Sequence, residues 1–428
     1  MNGLKQRLEA ALSPGRVVDA SSELSSLRRD ICRFELGQPI LSVHPESALE
    51  VGEILRLAST TQTPIVPYGK RSAYWRPLSF KGAIALSLDG LTGVQGWENE
   101  RVWFGAGTPV RQVHGRLLER DAVLGCHPDA YGDTSIGAMV ATGFESGCGM
   151  GAFELSDVVA AIRVMGIDGR EYETGVRGPL EHTSVAEFFA TSGRLGVVTS
   201  VAVRPHKRPA RAQIRFFTAA SPDVVAALID LSQAFGERGF YETFRAVQGE
   251  DGSGRHGFDV DLIIRAPNGP EERHERLELA LKHITDCFAD VDTEVSLEDA
   301  HGPEQLQRWW GPGEEHWEGA GHQWYSAVDF NVAPNDALPC LPVVMDGWNA
   351  AGEAGAVSRR LGIYMAPGLI NIGLHVMYPR GNKERFDNTH PVAYSLMEAL
   401  AAFPIRPYGS RGGAWPPNTE TARGPSSE

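Results

Sequence analysis

Apolar and polar positions along the chain fall into two textures, which meet near residue 205. In the first part, short apolar runs are separated by glycine-rich stretches. Over 45–59, Val51, Ile54, Leu55 and Ala58 sit at i, i+3, i+4 and i+7, the spacing of one buried helical face, with Pro45 suited to the first turn. Ile65-Val66, AIALSL (83–88) and RVWFGAG (101–107) predict strands. Thr108-Pro109 predicts a helix start, with Thr108 as cap and Pro109 at the first helical position, followed by an apolar face of Val110, Val113 and Leu117. VVAAIRVMG and REYET flank Asp168-Gly169, the pattern of a hairpin with a tight turn. EFFATSGRLGVVTSVAVRP predicts a short helix, a glycine turn and a strand.

After PHKRP (205–209), strands alternate with long amphipathic helices. QIRFFT, DVDLIIRA, WYSAVDFNVAP and GLINIGLHVMYP predict strands. Helices are predicted from Ser221-Pro222, over PEERHERLELALKHITDCF, over DALPCLPVVMDGW and over PVAYSLMEALAAF. This order implies an α+β unit whose strands feed one antiparallel sheet. The expected division is residues 1–209 as one domain, with 404–415 as a candidate return segment to it, 210–403 as a second domain, and 416–428 as a disordered tail.

Composition narrows the function classes. The 428-residue chain has 40 Lys and Arg against 54 Asp and Glu, a net charge of −14. That acidic balance argues against general nucleic-acid binding, which needs clustered cations facing phosphate. No apolar run approaches the ~18 residues of a membrane span. The N-terminus has no apolar core of a secretory signal. The five cysteines are scattered and form no CxxC pair, which points to a reducing, cytoplasmic setting. No HxxxH or HxH pair suggests a metal site, and no GxSxG suggests a serine nucleophile.

Candidate chemistry sits in three glycine loops. PYGKRSAYW (67–75) follows a strand; its backbone N–H groups, with Lys70 and Arg71, suit a pyrophosphate, although a solvated basic turn reads equally well. The stretch 132–151 (GDTSIGAMVATGFESGCGMG) is rich in small residues that let a backbone lie against a planar or phosphorylated ligand. SGRLGVVTSV (192–201) sets a Gly-x-x-Gly turn before a β-branched strand.

The three loops in this order, with GAGTPVRQVHGRL between the first two and FFATSGRLGVVT last, resemble the FAD-binding domain of the vanillyl-alcohol oxidase and p-cresol methylhydroxylase (PCMH) flavoprotein family over roughly residues 40–209. The resemblance implies a PCMH-type FAD-binding domain of two α/β subdomains, plus a substrate (cap) domain with an antiparallel sheet flanked by helices. It implies FAD contacts from Pro67, Tyr68, Gly69, Lys70, Arg71, Ser72 and Ala73 in the first loop. It implies contacts from Pro128, Asp133, Thr134, Ser135, Gly137, Ala138, Thr142 and Gly143 in the second, and from Gly193, Gly196 and Val198 in the third. The 4-hydroxybenzyl-alcohol branch is the most similar. It implies Tyr74 as a phenolate contact, Asp129 as a base beside flavin N5, and Arg406, Tyr408 and Arg411 as a phenolate clamp. A phenolate so held pushes electrons toward its para carbon, from which a benzylic hydride passes to the flavin.

Departures from the family pattern are also visible. The positions aligned with a covalent tether read Asn371 and Ile372, with His375 further along, and the first loop has Arg71-Ser72-Ala73 where other members carry a Gly-Gly-His tether. Non-covalent FAD is therefore expected. The family's final Asp-Pro-Asn-Gly segment has no counterpart after Trp415. Two other readings stay open. One is a 2-hydroxy-acid dehydrogenase-like flavoenzyme, with Arg359-Arg360 or Arg380 gripping a carboxylate. The other is a flavin-fold protein with a non-redox biosynthetic or binding role. The partner expected is a small-molecule substrate, and the resemblance admits a homodimer.

Overall fold

The computed structural model describes residues 2–28, 37–71, 79–126, 134–143, 153, 155–176, 178–189, 191–219, 221–236, 240–250, 256–288, 291–298, 323–354, 358–366, 369–379 and 383–407. Within them the chain is α+β, built on three main sheets.

The first sheet orders β1 (Val17–Val18), β2 (Leu41–Val43), β4 (Ile84–Ser87) and β3 (Ile65–Tyr68), with β4 parallel to both neighbours. Two helices cover it: α1 (Asn2–Ala11) and α3 (Ala48–Thr60); α2 (Ser21–Ser26) lies between β1 and β2 in the chain. The predicted face of α3 is the buried one: Val51, Ile54, Leu55 and Ala58 pack on Leu8, Val43 and Ile84. Its cap is Ser47, whose hydroxyl accepts from the Glu50 N–H at 3.2 Å, so the helix starts at Ala48 and Pro45 lies before it.

The second sheet orders β5 (Val94–Glu98), β6 (Arg101–Gly105), β10 (Val197–Val203), β8 (Val159–Met165) and β9 (Glu171–Glu173). The Asp168-Gly169 hairpin is as expected, with Gly169 at φ +72°. Packed on this sheet are α4 (Val110–Leu118), α5 (Ile136–Thr142) and α6 (Leu155–Val158), while β7 (Ala122–Val123) pairs with β11 (His206–Lys207). Thr108 is not the cap of α4; Pro109 stands there, and the Thr108 hydroxyl instead donates to Gly105 O and accepts from Gly93 N–H, tying two turns together.

The cap sheet has eight strands among the described residues, all antiparallel. Their order is β15 (Thr293–Glu298), β12 (Ala210–Ala219), β14 (His256–Ala266), β13 (Tyr241–Glu250), β17 (Ser358–Ala366), β18 (Leu369–Pro379), β16 (Gln323–Val332) and β19 (Arg406–Pro407). One face carries Ile214, Phe244, Leu262, Ile363, Ile372 and Phe330. These pack under α7 (Pro222–Gly236), α8 (Pro270–Cys287), α9 (Pro334–Glu353) and α10 (Lys383–Leu400). The alternate positions turn the other way: Ile263, between Leu262 and Ile264, belongs to the core of the second sheet, with Tyr364 packed beside it. Residues 406–407, within the candidate return segment 404–415, form the edge strand of the cap sheet against Phe330 and Asn331. Residues 408–428 lie outside the described residues.

Candidate flavin site

Three segments far apart in sequence meet where close backbone packing demands glycine. A Cβ on Gly69, just after β3, would lie 2.6 Å from Ser135 Oγ and 3.8 Å from Ala138 Cβ. A Cβ on Gly193 would lie 2.7 Å from Pro67 Cγ, and Gly193 has φ +81°. On Gly137 it would lie 2.6 Å from Ala106 Cβ. The first loop thus touches the second through Gly69 and the third through Pro67. A fourth link closes the ring, since Ser192 N–H donates to Ala141 O at 2.9 Å.

Local sequence explains each part. Ser135 caps α5, accepting from Ala138 N–H at 3.4 Å, and Thr142 donates back to Ala138 O at 2.7 Å. Gly143 ends the helix in the left-handed conformation. The segment is pinned to the second sheet's turns by Gly137 N–H to Ala106 O (2.8 Å), Ile136 N–H to Thr108 O and Val110 N–H to Thr134 O (both 2.9 Å). Arg71 and Ser192 are non-glycine residues with left-handed backbone, at φ 57° and 51°. Such positions each cost on the order of 1–3 kcal/mol and collect at ligand loops.

Side chains around the first loop are divided in their tasks. Lys70 pairs with Asp89 at 3.4 Å, and the Arg71 guanidinium donates to Ser26 O at 2.7 Å. The Asp89 Oδ1 is buried with no hydrogen-bond partner among the described residues. The Tyr68 hydroxyl turns into the first subdomain, bonded to Ser42 and Ser87, with its ring edge-on to Phe80; burial raises its pKa. Its backbone, rather than its phenol, is what the loop offers to a ligand.

Of the other expected contacts, Gly196 is at φ +130° and packs on Val164 and Met165, and Val198 is a core residue of the second sheet. Thr134 and Ser135 are buried. Ser72, Ala73, Tyr74, Pro128, Asp129, Asp133, Tyr408 and Arg411 lie outside the described residues. Arg406 is placed by its backbone, opposite Asn331.

The cap sheet carries buried polar residues, of which the sequence reading singled out Asn371 alone. Asn331 and Asn371 are fully buried, and Asn371 Nδ2 donates to Asn331 Oδ1 at 3.0 Å and to Phe330 O at 3.3 Å. Gln213 donates to Asp261 Oδ1 at 2.7 Å. Arg211 is almost fully buried and, with Arg208, lies near His114 of α4, whose imidazole burial pushes down to about 3. The signal that could have found these residues is strand alternation: 211 and 213 alternate with Ala212 and Ile214, and 371 with Ile370 and Ile372.

This donor set fits a flavin dinucleotide. It offers a tight turn with backbone N–H groups beside Lys70 and Arg71, a capping hydroxyl at Ser135, and glycines that bring backbone within contact of a ligand. Pro67 through Arg71 would hold the diphosphate together with Thr134 and Ser135.

Comparison with known proteins agrees. The family described as FAD binding domain matches residues 39–175. The whole chain is similar in fold to p-cresol methylhydroxylase with substrate bound (TM-score 0.75, 12% identity, 95% of this chain and 89% of that one). It is similar to 4-ethylphenol oxidase from Gulosibacter chungangensis in its isoeugenol complex (0.73, 13%, 95% and 89%). It is also similar to alkyldihydroxyacetonephosphate synthase (0.71, 12%, 92% and 80%). No curated protein matches the chain. Residues 39–175 thus match an FAD-binding domain, and the chain shares the fold of p-cresol methylhydroxylase.

Proposed function

We propose that the protein is an FAD-dependent oxidoreductase acting on a small aromatic, phenolic substrate, with the FAD held non-covalently. The observation that supports the reading is the set of contacts joining Pro67, Gly69, Ser135, Ala141, Ser192 and Gly193, which brings the three glycine loops together. When bound, FAD supplies the acceptor for a hydride from a benzylic-type carbon. The chain's own residues bind and orient. Tyr74, Arg406, Tyr408 and Arg411 hold the phenolate oxygen by charge-assisted hydrogen bonds, and Asp129 takes the proton from the alcohol or from water. The phenolic class is supported by two fold relatives, p-cresol methylhydroxylase and 4-ethylphenol oxidase. Non-covalent attachment is supported by Asn371, which is buried and bonded to Asn331.

The test is anaerobic mixing of the yellow protein with 4-alkylphenols, 4-hydroxybenzyl alcohols and 2-hydroxy acids. Loss of the flavin's visible band with the phenols alone is expected. Loss with the hydroxy acids alone overturns the phenolic reading. One observation favours a second reading: a fold relative is named a synthase. A flavin band untouched by every reducing substrate while the protein still binds FAD would support that non-redox role.

A further inference from the structure

Tyr68 and Arg71 flank Gly69-Lys70, and both are held from the same short N-terminal helix. From one side, Glu23 of α2 meets His44 Nε2 at 2.8 Å, His44 Nε2 meets Ser42 Oγ at 2.9 Å, and Ser42 Oγ meets the Tyr68 hydroxyl at 3.3 Å. From the other side, Arg71 donates to the carbonyl of Ser26, near the end of α2. Beneath them, Leu27 is buried with Phe80 and Ala85, and Tyr68 packs on that cluster. The helix itself is anchored by β1, which pairs with β2, and by His44 N–H to Arg16 O at 2.9 Å.

A serine, a histidine and an acid in a row could be read as a nucleophile triad. The geometry excludes that: both partners use the same ring nitrogen, whereas a relay needs one on each. The arrangement ties side chains together instead. The Glu23 carboxylate can only accept, so His44 Nε2 donates to it, and Ser42 Oγ bridges that nitrogen and the Tyr68 hydroxyl, which also bonds Ser87. The chain of bonds holds the Tyr68 ring at the base of the glycine turn.

We propose that α2, Glu23, His44 and Ser42 form a brace for the flavin's phosphate loop, positioning residues that set FAD affinity without touching the ligand. The proposal rests on the reading that Pro67–Arg71 faces the FAD diphosphate. It differs from a packing role in what it moves: the brace acts on the loop's position, so it changes ligand affinity and leaves the stability of the flavin-free protein near its starting value.

The test is fluorimetric titration of FAD onto the flavin-stripped full chain, beside its thermal unfolding midpoint. Ser42→Ala and Tyr68→Phe should each weaken FAD binding about 5- to 10-fold, the size of one lost oriented hydrogen bond. The double variant should be no weaker than either single one, because both break one chain. His44→Ala should match them, and His44→Gln, which restores a donor near the Nε2 position, should recover most of the affinity. Glu23→Gln, a part-exposed change that leaves the core intact, should give a smaller loss of the same kind. Unchanged FAD affinity in these variants, additive losses in the double variant, or losses that track a falling unfolding midpoint would overturn the brace. Failure of the unaltered chain to take up FAD would instead overturn the flavin reading on which the brace depends.

Discussion

The flavin loops and the cap sheet solve opposite problems. In the loops, backbone meets backbone or short side chain, and a single added carbon at Gly69, Gly137 or Gly193 would sit within 2.7 Å of a neighbour. In the cap, large side chains from the eight described strands interdigitate under four helices to bury Phe244, Phe330 and Ile372, and the close glycine contacts, at Gly257 and Gly362, lie within the sheet rather than between loops. The loop junction is defined by what cannot be added, and the cap's apolar core by what cannot be removed. Substitutions should divide accordingly: those in the cap core lower stability and spare flavin affinity, and those at the loop glycines do the reverse in proportion.

The largest effect is expected in the cap. Phe244→Ala deletes a fully buried ring and should cost about 3–5 kcal/mol. Denaturant unfolding would measure it, and FAD affinity of the folded fraction should stay within about twofold on this account. An equal loss of affinity would erase the contrast between the two regions. Next comes Gly137→Val, which drives side-chain carbon into Ala106. Overpacking there should cost about 1–3 kcal/mol, with FAD lost on gel filtration.

A third prediction probes the junction between the regions. His114 is buried near Arg211 and Arg208, and its pKa falls from 6.5 to about 3. The unfolded chain binds a proton there that the folded chain does not, so this contribution is fully present above pH 6.5 and is lost as pH falls toward 3. Over that window the unaltered protein should lose up to about 1.4 kcal/mol per pH unit more than His114→Leu. Parallel pH profiles for the two proteins would refute it. The smallest effect is at Lys70→Ala. Its ion pair with Asp89 is partly exposed and should contribute about 0.2–1 kcal/mol to stability, so a few-fold loss of FAD affinity with little change in unfolding is the signature expected of a diphosphate contact.

Much of this was legible in the residues. The face of α3, the Asp168-Gly169 hairpin and the helices of the cap follow from periodicity and turn chemistry. The order of three glycine loops pointed to the FAD-binding domain that residues 39–175 match. What escaped has physical reasons. The strand Tyr241–Glu250 mixes charges into its alternation (YETFRAVQGE), so its buried face, Phe244 and Ala246, is thin in apolar signal. The helix Ile136–Thr142 hides in a glycine-rich run because its cap, Ser135, and its ending glycine are the only local marks it has. Asn331 and Arg211 read as ordinary polar positions, and only the pairing of strands distant in sequence shows that they are buried. The resemblance implies Tyr68 as an FAD contact, and its hydroxyl is bonded to Ser42 and Ser87, a use that separate strands create and no local pattern announces.

The central claim is that the three loops hold FAD without a covalent bond, and the most direct measurement is an absorbance spectrum of the purified protein before and after acid precipitation. The account predicts a flavin spectrum whose chromophore moves entirely to the supernatant, where it is identified as FAD. A colourless protein that takes up no added FAD would contradict the flavin site. A chromophore that stays with the pellet would contradict non-covalent binding and make His375 the first residue to replace.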